Sequence, residues 1–267
     1  MRERRSTVTA PSPGGACAHA TAAAWWIGAI RPHDHLLGAD PDRFHDSMTR
    51  LHASTVRSLY RRLLAAYGPQ GWWPATSAFE VIVGAVLTQN AAWRNVEYAL
   101  DNLRAADALS PEAILALDAH DLGALIRPSG YFNVKAQRLK AVCRFVLDQG
   151  NIAALARWET EPLRAGLLGV KGIGRETADD IVLYAFDRPV FVIDAYTRRV
   201  FERLGLLTGG ETYEQLRAGF ERALGADVPV YKEYHGLIVA HCKAVCAVRP
   251  HCAACCLRDR CPVAHSA

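Results

Sequence analysis

No stretch of eighteen apolar residues occurs anywhere in the 267-residue sequence, so nothing in it reads as a membrane-spanning helix. Neither sign of charge dominates either. The net charge is only +4, a mild lean toward acidic partners such as nucleic acid. Strand-like segments are nearly wanting: the one β-like run is Pro189 to Ile193, and strand content is expected close to nil. The sequence shows no internal repeat, which excludes a solenoid. A secretion signal is also lacking. Arg4-Arg5 precedes an apolar stretch from Ala20 to Ile30, but the stretch is short, His19 interrupts its approach, and no clear cleavage site follows.

What is present is apolar mass and cysteine. Apolar residues make up 51% of the chain, and its length suits about two domains with a sizeable core. Six of the eight cysteines crowd between Cys242 and Cys261. Scattered pairs would suggest secreted disulfides. Short spacings suggest metal or iron–sulfur ligation in a reducing, cytoplasmic setting. Cys17 and Cys143 lie apart and read as plain residues.

Residues 1–53 hold Pro, Gly, Ala, His and Arg without sustained periodicity, and are expected to be a poorly ordered extension. A helical pattern begins directly after Met48, which predicts that translation starts at or near that residue. Helices are expected at 54–67, 78–88, 92–105, 112–117, 119–126, 134–147, 160–168, 195–204, 213–224 and 231–244. Ser77 and Glu80 suit a capping box ahead of an almost wholly apolar central helix, 78–88. Lys135, Arg138 and Lys140 make the helix at 134–147 basic and amphipathic. The fold class is all-α.

One stretch organises the rest: Leu167 to Arg199, LLGVKGIGRETADDIVLYAFDRPVFVIDAYTRR. A helix ends near Leu168, and Arg175 opens another. Between them Gly169, Gly172 and Gly174 permit positive φ and close approach of another molecule. Amides at the head of the second helix suit a phosphate. The turn alone would equally suit a plain corner between helices. The β-like run then delivers Asp194, followed by Tyr196, Arg198 and Arg199. Asp194 could act as a helix N-cap, as a catalytic carboxylate, or as both.

Together these residues resemble the helix-hairpin-helix motif and catalytic Asp of DNA glycosylases related to endonuclease III. The resemblance runs from about Leu59 to Cys261. It implies two helical lobes with a cleft between them, lined by Asp194 and the hairpin. One lobe would be 77–187; the other would combine 54–76 with 188–245, and 246–261 would form a cluster loop. It further implies a cytoplasmic, nucleoid-associated monomer acting on damaged double-stranded DNA. The tail reads Cys246-x5-Cys252-x2-Cys255-x5-Cys261. Endonuclease III carries a [4Fe–4S] cluster there, with one more residue between the first two ligands. Cys242 could replace Cys246, and Cys256 could replace Cys255. A structural zinc with four thiolates has the same spacing requirements.

Relatives that also nick DNA place a lysine two residues after the last hairpin glycine, where its amine forms a Schiff base. This chain has Glu176 there, so the resemblance implies a monofunctional glycosylase in which water displaces the base. The adenine-removing branch places an acid on the central helix, at a position that is Gly84 here. The segments Trp72-Trp73-Pro74, Leu87-Thr88-Gln89-Asn90 and Arg127 to Lys135 look like the 3-methyladenine-removing branch. A cationic alkylated base stacks well on aromatic rings. Trp93, Trp72, Trp73 and Tyr131 are therefore candidate pocket residues, Trp93 first. Gln89 or Asn90 could fill the gap left by an extruded nucleotide. Gly172, Gly174, Lys171 and Arg175 are the candidate phosphate contacts. Two rival readings stand beside this one: an oxidised-pyrimidine glycosylase with AP-lyase activity, using another amine, and a non-catalytic iron–sulfur DNA-binding module. Deleting residues 1–47 is expected to leave folding and base release intact, which a thermal melt and a glycosylase assay on the truncated chain will check.

Overall fold

The protein is described by a computed structural model over residues 51–265. The expectations for residues 1–50, including the start at Met48 and the role of Cys17, lie outside them. Helices and turns account for all the regular structure among the described residues, with no strand.

Helix α1 (Ala53–Tyr67) buries Val56, Leu59 and Leu63, the spacing of an amphipathic helix. Helix α2 (Ala78–Leu87) is buried from Phe79 to its end, as a run apolar but for Glu80 requires. Ser77 caps it, its Oγ accepting the Glu80 N–H at 3.1 Å. Glu80 does not complete the expected box. Its carboxylate takes the Thr76 hydroxyl and pairs with Arg104 on α3 (Trp93–Ala105). Next come α4 (Pro111–Ala116) and α5 (Ala119–Leu125), capped by Ser110 and Asp118. Both pack on α6 (Phe132–Asp148). The short α7 (Ile152–Leu155) leads to α8 (Thr160–Leu168) and α9 (Arg175–Asp180). A π-helical turn, Ile181–Ala185, directly extends α9. The chain ends through α10 (Ala195–Arg203), α11 (Tyr213–Leu224), α12 (Val228–Ala244) and α13 (Pro262–His265).

Two groups of helices result. Central α2 packs against α3, α6, α9 and the π turn. The N-terminal α1 packs instead on α11 and α12. Arg57 of α1 donates to the carbonyls of Ala223 and Leu224, and Tyr234 donates to Val56 O at 3.0 Å. The run Val190–Ile193 is buried and extended without pairing into a sheet. Side chains take over the work of a ladder: Glu221 accepts the Phe191 N–H at 3.0 Å, and the Tyr213 hydroxyl lies 3.4 Å from Ile193 N.

Lys135 departs from the expected charged face. Its ammonium is buried and donates to Leu87 O and Ser129 O, each at 2.7 Å. Burial pushes its pKa down to about 8. The amine thus staples the end of α2 to the loop before α6 and satisfies carbonyls that helix geometry leaves open. Lys135→Met removes both bonds. It should cost about 2 kcal/mol, read as a lower urea midpoint at unchanged slope.

Candidate active site

The hairpin between α8 and α9 is held from behind. Arg164 of α8 bonds the Asp179 carboxylate at 2.5 Å and reaches Glu214 of α11 at 2.8 Å. Of the three turn glycines only Gly172 has positive φ, at 91°. Gly169 and Gly174, with φ −71° and −89°, need no such freedom. A Cβ at Gly172 would also come within 2.5 Å of the Arg138 side chain. That arginine bonds Gln89 Oε1. Gln89 Nε2 in turn donates to Gly172 O at 3.1 Å and Thr177 Oγ1 at 2.9 Å. Gln89 is therefore a clamp on the hairpin, and Asn90, exposed with φ 52°, follows it in the turn after α2. Lys171, Gly172, Gly174 and Arg175 face solvent, with Arg175 3.3 Å from Glu214.

Asp194 is the N-cap of α10 and is 2% exposed. Its Oδ1 accepts the Thr197 N–H at 2.7 Å, and Oδ2 lies 3.5 Å from His235 Nε2 of α12. Burial would raise its pKa. The His235 ring and the Thr197 amide outweigh that and hold the carboxyl below its ordinary range. Glu176 and Asp180, one turn apart on α9, go the other way. Burial and the Asp194 charge raise Glu176 to about 8, against the pull of Arg198. Asp180 is raised well above its usual value by burial and by Glu176 and Asp194. At neutral pH the negative charge of this trio therefore sits on Asp194.

Beside the carboxyls lies a knot of tryptophans. Trp73 meets Trp93 edge-on at 5.1 Å between centroids, and Trp72 meets Trp93 at 5.4 Å. Trp73 also packs on Tyr184 of the π turn at 5.3 Å, and the Tyr184 hydroxyl is 2.7 Å from His235 Nδ1. Gly84 explains how the knot fits: a Cβ there would be 3.2 Å from the Trp73 indole. Trp93 is only 1% exposed, so a base could stack in this knot only if the rings part. Tyr131 is corrected out of this pocket. It is 68% exposed at the loop before α6, with φ 45°, and joins none of these ring contacts.

Buried polar atoms without a hydrogen-bond partner concentrate here. They are the indole nitrogens of Trp72, Trp73 and Trp93, together with Asp180 Oδ1, Asp194 Oδ2, Thr197 Oγ1, His235 Nε2 and Thr88 Oγ1. In the folded chain alone these groups are left for water or a ligand to meet. Lys243 of α12 belongs to the same place, its ammonium 5.6 Å from the Trp72 ring centre. Burial lowers its pKa to about 8 despite the nearby charges of Asp194 and Glu97. The sequence reading missed Asp180, Tyr184, His235 and Lys243. One signal was available: His235, Val239 and Lys243 stand four residues apart, on one face of α12.

The C-terminal cysteines form a loop against the far end of α10. Arg203 Nη1 is 3.2 Å from Cys246 Sγ, Leu257 N is 3.4 Å from Cys255 Sγ, and Cys261 Sγ is 3.4 Å from Arg203 O. Cys252 opens a short helical turn in the same loop. Cys242 faces the Tyr196 carbonyl, 3.7 Å away. The thiols gathered on this loop are a donor set that suits a thiolate-held iron–sulfur centre or a zinc ion. Cys143, buried in α6, is remote from it, and burial pushes its thiol up to about 12.

A family model described as HhH-GPD superfamily base excision DNA repair protein matches residues 83–225. The chain belongs to this superfamily and is one of its DNA glycosylases. It is 46% identical over 211 residues to a Methanocaldococcus jannaschii protein provisionally named a DNA repair glycosylase, covering 78% of this chain and 93% of that one. Its structure is similar to 3-methyladenine DNA glycosylase of H. pylori bound to 1,N6-ethenoadenine. That match has a TM-score of 0.61 and 31% identity, and covers 74% of this chain and 97% of the other. The fold also matches an endonuclease III–DNA complex, with a TM-score of 0.68 and 19% identity over 80% and 97% of the two chains. No described helix is long and apolar enough to cross a membrane.

The raised pKa of Glu176 has a consequence for stability. The folded state holds this proton up to about pH 8, whereas an unfolded chain releases it near pH 4.5. Stability from this group is therefore full below pH 4.5 and declines as pH rises to 8. Glu176→Gln should melt higher than the parent at pH 8.5, by roughly 2–4 °C per kcal/mol relieved, and gain little at pH 5.

Proposed function

We propose that this protein hydrolyses the N-glycosidic bond of an extruded damaged base in duplex DNA, and that the base is an alkylated purine such as 3-methyladenine. The observation that carries the reading is the tryptophan knot adjoining a single ionised carboxylate. A positively charged base already has a weak glycosidic bond and stacks on an electron-rich ring. The Trp72 face already holds a cation in Lys243, an amine able to shed its proton near pH 8. As the bond breaks, the ionised Asp194 stabilises positive charge on the sugar and orients the attacking water. Glu176 cannot form an imine, so the strand is left intact at an abasic site. The similarity to the H. pylori 3-methyladenine enzyme supports the same substrate class.

DNA would lie along the exposed hairpin turn. Amides near Gly172 and Gly174, with Lys171 and Arg175, suit the phosphates. Asn90, exposed in the turn after α2, suits the gap left by the extruded nucleotide. Residues 77–187 and the pairing of 54–76 with 188–245 would form the two walls of the cleft. Cys246, Cys252, Cys255 and Cys261 would hold a [4Fe–4S] cluster in the 246–261 loop. The cluster's contribution is structural: it pins that loop, whose Arg249, Arg258 and Arg260 can meet phosphates.

One observation favours the lyase alternative: the Lys243 amine, with its lowered pKa, shares the site with Asp194. A panel separates the readings. It would contain methylated-purine DNA and duplexes with thymine glycol, uracil, or adenine opposite oxidised guanine, each scored before and after alkali. Release of 3-methyladenine with breaks only after alkali is expected, falling about a thousandfold in Asp194→Asn. Nicking of thymine glycol without alkali, with borohydride trapping lost in Lys243→Gln, would establish the lyase instead.

A further inference from the structure

One buried group facing Asp194 is left unused by the chemistry above. His235 lies in the middle of α12, 2% exposed. Its two nitrogens have different surroundings. Nδ1 is 2.7 Å from the Tyr184 hydroxyl, and Nε2 is 3.5 Å from Asp194 Oδ2. Neither Nε2 nor Oδ2 has any other partner.

The partners set the proton's place. Nε2 faces only the Asp194 carboxylate, an acceptor, so a hydrogen there avoids opposed lone pairs. Nδ1, 2.7 Å from the Tyr184 hydroxyl, is then left to accept from it, the Lys232 carbonyl lying further off at 3.4 Å. At 3.5 Å the contact between Nε2 and the carboxylate is longer than a formed hydrogen bond, yet too short to hold a water between. Catalytic hydrogen bonds are often this long in a free enzyme and tighten in the complex.

We infer that His235 is a positioning residue for Asp194: its Nε2–H engages Oδ2, the Thr197 amide engages Oδ1, and Tyr184 fixes the imidazole tautomer. The inference rests on the reading of Asp194 as the carboxylate that meets the developing sugar cation.

The surroundings explain why such a residue is required. Facing Asp194 are Glu176 and Asp180 from α9, Tyr184 from the π turn, Tyr196 from its own helix, and His235 and Lys243 from α12. Arg198 lies beside Glu176. Three carboxyls share this corner, Asp180 and Asp194 buried and Glu176 half-buried, and any of them could take the single charge. A donor aimed at Oδ2 gives Asp194 what the other two lack. Without it the charge spreads over the trio or is lost to protonation, and the sugar cation faces a weaker, less directed anion. The Tyr184 ring also packs on Trp73, so the wall of the presumed base site and the imidazole share one neighbour.

The test needs no knowledge of the lesion. The full-length, metal-loaded protein is titrated by fluorescence anisotropy, between pH 3 and 8, with two duplexes. One carries a protonated pyrrolidine in place of a deoxyribose, and the other a neutral tetrahydrofuran. The preference for the cationic sugar mimic reports the charge on Asp194. In His235→Leu that preference should fall about tenfold, and its loss on acidification should begin about one pH unit higher, with tetrahydrofuran affinity unchanged. His235→Gln can still give an N–H to Asp194 and accept from Tyr184, and should restore most of the preference. Tyr184→Phe keeps the ring packing but frees the tautomer, and should shift the acid midpoint the same way by a smaller amount. This last variant decides the matter if the leucine variant does not fold. An unchanged preference and midpoint in His235→Leu or Tyr184→Phe, or an equal loss in the glutamine and leucine variants, would overturn the inference. A preference that survives Asp194→Asn, or is absent from the unaltered protein, would instead sink the reading of Asp194 beneath it.

Discussion

An ionised carboxylate has been taken out of water and set beside two other carboxyl groups. Desolvation alone opposes the charge on Asp194, and each neighbouring acid opposes it further if ionised. The arrangement holds because favourable interactions are concentrated on one member of the trio. Asp194 heads a helix, accepts the Thr197 amide and faces the His235 ring. Glu176 and Asp180 have no comparable donors and keep their protons. The result is one localised charge in a low-dielectric site, where its field on a nearby cation is far stronger than in water.

The rest of the fold keeps that site in register. Central helix α2 is tied to the hairpin through Gln89 and to the loop before α6 through Lys135. Arg164, bonded to Asp179 and Glu214, fastens the hairpin from the other side. Gly84 leaves room on α2 for the Trp73 indole. Gln89, Lys135 and Arg164 each reach a partner at least 48 residues away in sequence. A shift of the hairpin would therefore be felt at α2 and α11 together.

Helix α10 connects the two chemical features of the molecule. Asp194 stands at its head, and Arg203, at its last turn, reaches three carbonyls of the cysteine loop and the Cys246 sulfur. The loop thus braces the helix that presents the carboxylate.

The legible parts were those written in local pattern. Gly172 and the Ser77 and Asp194 caps are properties of a few adjacent residues, and all stand where the pattern placed them. The helix at Tyr213–Leu224 was predicted to the residue. Periodicity and turn chemistry also excluded a sheet, and Val190–Ile193 is extended without a partner strand. Position 176 carries a carboxylate, which cannot form an imine. Long-range contacts decided the rest. Lys135 and Gln89 read as surface charge and gap-filler, but distant carbonyls made them a staple and a clamp. Tyr131 and Trp93 are both aromatic in sequence, yet one stands in solvent and the other is sealed in a knot. The protonation of Glu176 and the approach of His235 to Asp194 depend on helices that meet only in the folded chain. Sequence by itself determined the helices, the hairpin and the residue types available for chemistry, because those follow from local sterics and hydrogen bonding. Only the tertiary structure decided which carboxyl bears the charge, because that depends on burial and on donors brought from elsewhere.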